Sequence, residues 1–159
     1  MNRRLPKFAI ALGAAGLLPF IGCSLGALVW QGDWGDKSLL ALLGYGTAIL
    51  SFVGGVHWGF ALLDPSASDR AQRARFGLGV APSLIGWSAL LVTFIGLPRV
   101  GLAVLLAGFI ATTAIEARAA RAGLMPHSYM WLRWALSAGV IVCLSAVLLV
   151  RAFGGRVTL

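Results

Sequence analysis

His57 stands inside one long apolar stretch of this sequence and Glu116 closes another, so any intramembrane acid–base chemistry begins with them. An imidazole beside a carboxylate is the physical basis of a proton relay or a pH sensor. His57 lies about six residues inside one end of its stretch, roughly 9 Å deep at 1.5 Å of rise per residue. Glu116 closes another stretch, and Asp64 caps the end of the His57 stretch. Charged groups within a membrane face the bundle interior and find partners, which makes a His57–Glu116 pair the candidate functional site. The simpler alternative is His57 hydrogen-bonded to a neighbouring hydroxyl or carbonyl, with Glu116 snorkelling beside Arg118.

Trp58, Pro82, Ser83 and Trp87 form a second candidate group, a pocket that could take a lipid or a quinone. Metal chemistry has little to work with. The two histidines, His57 and His127, have no usable cysteine nearby, because Cys23 and Cys143 sit in apolar runs as small hydrophobes. No metal and no cofactor is expected. The sequence contains no HExxH, GxSxG, Walker or GxGxxG arrangement, so the reading leans away from an enzyme.

These residues need elements to hold them. Of 159 residues, 59% are hydrophobic and 11% are charged, with a mean hydropathy of +0.89. Soluble domains carry about a quarter charged residues, so there is too little polar surface here to face water. Stretches near 20 apolar residues occur at Phe8–Trp30, Ser38–Leu63, Phe76–Ile95, Val100–Ile115 and Trp131–Phe153. The expected fold is all-α, a single domain over residues 1–159 formed by a bundle of five transmembrane helices. Gly96-Leu97-Pro98-Arg99 is a tight turn that makes the third and fourth spans an antiparallel hairpin.

The net charge of +8 is distributed as a membrane protein distributes it, in clusters between spans, and nucleic acid is not an expected partner. Arg3, Arg4, Lys7, Arg70, Arg73, Arg75, Arg118, Arg121 and Arg133 fall on one side; Lys37, Arg99, Arg151 and Arg156 fall on the other. That bias places the N-terminus in the cytoplasm and the C-terminus outside. Trp30 and Trp34 at one boundary and Trp131 and Trp134 at the other fit interfacial belts. Phe20-Ile21-Gly22-Cys23 has the outline of a lipoprotein signal, but the run stays apolar to Trp30, which favours an uncleaved first span.

Thr47, Ser51, Gly55 and Gly59 recur every four residues and make a small-residue ridge on one helix. In lipid such ridges let backbones approach closely, within the bundle or in a homodimer. Pro19 and Pro82 each remove a backbone donor and are expected to kink their helices, with Ser83 and Ser88 near enough to help around Pro82.

The string from Gly44 to Gly59, with Ser51-Phe52-Val53-Gly54-Gly55-Val56-His57-Trp58-Gly59 as its specific part, resembles the signature of a family of small multi-span proteins of unknown function. Gly16 to Phe20 and Ala81-Pro82-Ser83 look similar too. The family looks like the bacterial relatives of a mitochondrial inner-membrane protein of animals. The resemblance implies a multi-pass protein of the bacterial inner membrane, or of the mitochondrial inner membrane in a eukaryote. It supplies no activity or ligand, and it singles out His57, Trp58 and the ridge.

Three functions follow as expectations. The first is a non-enzymatic accessory or assembly factor that packs against another membrane protein in the bilayer, or against its own copy. The second is a small proton-coupled transporter or channel using His57 and Glu116. The third is a lipid- or quinone-binding membrane protein.

Overall fold

The computed structural model describes residues 6–63, 68–121 and 127–153. Arg3, Arg4, Asp64 and Arg156, and the side chains of Arg70 and His127, lie outside the described residues. Among the described residues the chain forms six helices and no strand: α1 (Lys7–Ala15), α2 (Leu18–Val29), α3 (Asp33–Leu63), α4 (Asp69–Phe94), α5 (Pro98–Arg121) and α6 (His127–Phe153). Five stretches are long and apolar enough to cross a membrane, with α1 and α2 together making the first. The helices overrun the apolar windows where local chemistry favours a helix. Asp33 and Asp36 in the first turn of α3 suit its positive end, and α5 continues through Ala117, Ala119 and Ala120 to Arg121.

Pro19 does more than bend the first span. Without a proline N–H the chain tightens: the Gly16 amide bonds to Leu12 and Gly13 carbonyls, and the Leu17 amide to Ala14 at 3.0 Å. α2 then restarts at Leu18, with Pro19 in its first turn where no amide donor is needed. α4, by contrast, runs unbroken through Pro82. Ser88 does not serve that proline; its hydroxyl donates to the Ile85 carbonyl at 2.8 Å. The α4–α5 turn closes by glycine and proline chemistry. Gly96 takes φ +86°, its amide and that of Leu97 return to the Thr93 and Val92 carbonyls, and Pro98 opens α5.

The chain divides into two compact units. One comprises residues 1–42 and 109–159, the other residues 43–108, so that α3 and α5 contribute to both. In the first unit α1 and α2 pack along α6, with Gly13 against Leu132 and Leu136 and Gly139 against Leu17. The sequence positions rise together, so these helices run parallel, as first and fifth spans of a five-span chain must. Phe20 of α2 meets Phe109 of α5 edge to face, ring centroids 6.0 Å apart. At the far end Arg151 of α6 ties three elements together. Its Nη1 donates to Asp36 Oδ1 at 2.7 Å, and its Nε and Nη2 donate to the Ala27 carbonyl near the end of α2. We expect Arg151→Leu to cost about 2 kcal/mol, the scale of hydrogen bonds to a charged group. Thermal unfolding in detergent measures this; an unshifted midpoint would mean that the clamp carries nothing.

In the second unit α3, α4 and α5 interlock through small residues. Thr47 Oγ1 donates to the Gly86 carbonyl at 3.0 Å, and a side chain at Gly108 would meet Ile85 and Leu50. The buried row of α3 reads Leu43, Gly46, Leu50, Val53 and His57, alternating three and four residues as a packed helix seam does.

Candidate functional site

His57 sits on that buried row and is only 4% exposed. It belongs to the second unit, whereas Glu116 belongs to the first. The next residue, Trp58, locks α3 to α4. Its indole N–H donates to the Phe76 carbonyl at 3.2 Å, and its ring stands edge-on to the Phe76 ring at 5.1 Å between centroids. The indole also covers Gly79, where a Cβ would collide with it. One turn back, a Cβ on Gly54 would strike the Gly79 carbonyl, and buried Pro82 lies beside it. Trp58 and Pro82 therefore both belong to the α3–α4 contact. Ser83 is half-buried, while Trp87 is 58% exposed and turns away from the row formed by Gly79, Pro82 and Gly86.

The ridge of α3 divides between two environments. Thr47 is spent on Gly86 of α4, and Ser51 donates back to the Thr47 carbonyl at 2.9 Å. Gly55 and Gly59 are exposed, and a Cβ at either would meet nothing within 4 Å among the described residues. Internal packing is carried instead by Gly54, one position before Gly55.

Glu116 has a partner that sequence reasoning counts only as a flanking charge. On α5 it is 1% exposed, and its Oε2 lies 3.0 Å from Nε of Arg133 on α6. Arg118, by contrast, is exposed. The Arg133 side chain is itself only 9% exposed. The contact is close but not aligned as a hydrogen bond, and Arg133 Nη2 and the hydroxyl of Ser137, one turn further along α6, make none. In the folded chain Arg133 lies on a buried row of α6, Met130, Arg133, Ser137, Val140, Leu144 and Val147, at alternating three- and four-residue steps that residue type alone does not mark. What this arrangement does chemically is compensate charge inside an apolar helix pair, which ties α5 to α6 at one register.

Among the described residues no three His, Cys, Asp or Glu side chains gather as metal ligands. An open pocket of about 470 Å³ lies at the start of α3, lined by Val29, Trp30, Gln31 and Trp34.

Comparison with known proteins agrees with this architecture. Over 86 residues the chain is 40% identical to Transmembrane protein 69 of Xenopus tropicalis, covering 54% of this chain and 33% of that protein. It is 31% identical over 86 residues to Transmembrane protein 69 of Mus musculus, covering 34% of that protein. The match thus spans about a third of the length of these curated relatives. No solved structure matches. A family described as "Protein of unknown function (DUF3429)" matches residues 5–149, from just before α1 to well within α6. That stretch takes in α1 to α5 whole and most of α6, and the chain belongs to this family of membrane proteins of unknown function.

Proposed function

We propose that the protein is a non-enzymatic accessory or assembly factor of the bacterial inner membrane, seated with its N-terminus in the cytoplasm and packed against a helix of a larger membrane complex. The observation that carries this is the open glycine face of α3. A glycine within a helix costs about 0.5–1 kcal/mol relative to alanine. At Gly54, Gly79 and Gly86 that cost is offset by close helix contact inside the unit. Gly44, Gly55 and Gly59 meet nothing within 4 Å among the described residues, and exposed Ala48 continues their face. A second transmembrane helix is the occupant that gains from such a face, because lipid gains nothing from close backbone approach.

Gly55→Leu with Gly59→Leu should leave the fold intact and remove the partner. Membranes solubilised in mild detergent are run on native gels, and single cysteines at 55 or 59 are cross-linked. We expect a discrete heterologous adduct from these positions, none from a cysteine at Leu84, and loss of the large complex in the double variant. A monomer without position-specific adducts ends the proposal. An adduct of two copies of this chain replaces it with a homo-oligomer.

A second reading, the proton-coupled carrier, is favoured by the burial of two ionisable groups, His57 at 4% and Glu116 at 1% exposure. The Arg133 beside Glu116 favours the accessory reading, since that carboxylate already has a structural task. Proton flux in liposomes, compared between the native chain and His57→Ala, separates the two; equal flux removes the carrier.

A further inference from the structure

The pocket between the end of α2 and the start of α3 has no role in the accessory reading, and its lining is specific. Two indoles, Trp30 and Trp34, stand edge to face with centroids 6.5 Å apart, and Val29 and Gln31 complete the wall. At about 470 Å³ it falls within the roughly 300–1,000 Å³ typical of sites for small organic groups. It opens where two helices long and apolar enough to span a membrane end, which in a bilayer is the depth of the headgroups and glycerol region.

The charges around it narrow the occupant. Lys37 Nζ stands 5.3 Å from the centre of the Trp34 ring, so this indole face already attracts a cation. Asp33, one turn before Lys37, shares its face of α3, and no ion pair joins the two among the described residues. Asp36 is neutralised by Arg151 at 2.7 Å. One cation and one anion therefore flank two indoles and leave the site electrically balanced.

We propose that this pocket binds the headgroup of a zwitterionic phospholipid such as phosphatidylethanolamine. Its phosphate is held by Lys37, its ammonium by Asp33 and the Trp30 ring, and its glycerol region by Val29. An anionic headgroup satisfies Lys37 and faces Asp33 without a counter-charge, which is what distinguishes the two lipid classes.

Native mass spectrometry on the delipidated full chain, with phosphatidylethanolamine or phosphatidylglycerol added, tests this. We expect one phosphatidylethanolamine retained per chain, with a preference of about tenfold over phosphatidylglycerol. Lys37→Gln and Asp33→Asn, both at exposed positions, should each lower that retention about fivefold, as should Trp34→Ala. Trp131→Ala, at an indole in the first turns of α6, should leave it unchanged. Equal retention of both lipids, or retention unaffected by Lys37→Gln and Trp34→Ala, overturns the proposal and leaves the indoles as an interfacial belt.

Discussion

Arg133→Met alone destabilises the folded chain by about 3–5 kcal/mol, and adding Glu116→Leu restores most of that loss. The sign of the second step is the informative part. Removing the guanidinium takes the charge 3.0 Å away from a carboxylate that is only 1% exposed in an apolar helix pair. Replacing both groups leaves a hydrophobic contact of similar volume on the same seam, which membrane helices tolerate well. Glu116→Leu alone should cost a similar amount, because it strands Arg133, whose Nη2 already lacks a hydrogen-bond partner. Reversible unfolding in mixed micelles or bicelles gives all three values as a double-mutant cycle. If the single losses simply add in the double variant, the two groups are not coupled, and the 3.0 Å approach has no energetic meaning.

Arg133 also shows where the sequence stops being legible. Composition decides the membrane class at once, and hydropathy finds all five spans, because both depend on transfer energy and not on direction. Partners depend on helix rotation. A helix that is apolar on every side gives hydropathy no face to choose, so Arg133 reads as one more cytoplasmic flank charge. The alternating three- and four-residue steps of burial from Met130 to Val147 and from Leu43 to His57 belong to the packed helices, so they place Arg133 and His57 on inner rows only once the chain is folded. The row Thr47, Ser51, Gly55 and Gly59 divides between two faces for the converse reason. A strict four-residue step advances about 40° beyond a full turn, so three steps rotate the row by about 120° around the helix. It begins against Gly86 and finishes at exposed Gly59. A four-residue spacing of small residues therefore does not by itself define one face of a straight helix.

That rotation separates neighbouring glycines into opposite roles, and alanine substitution makes the difference measurable. Gly54→Ala should destabilise by about 3 kcal/mol, since the new methyl meets a backbone carbonyl, that of Gly79, which yields only if α3 and α4 move apart. Gly79→Ala should cost a similar amount by pressing on an indole that is pinned to Phe76 by its N–H and by ring packing. Gly55→Ala should go the other way, gaining about 0.5–1 kcal/mol from helix propensity, since a methyl there meets nothing within 4 Å among the described residues. Unfolding of the isolated protein in detergent reports all three without reference to any partner. In native membranes Gly55→Ala then carries a second meaning. If it stabilises the isolated chain yet weakens the native complex, the glycine is kept for the partner and not for the fold. A loss at Gly55 equal to that at Gly54 would instead show that the inner and outer faces of α3 had been exchanged.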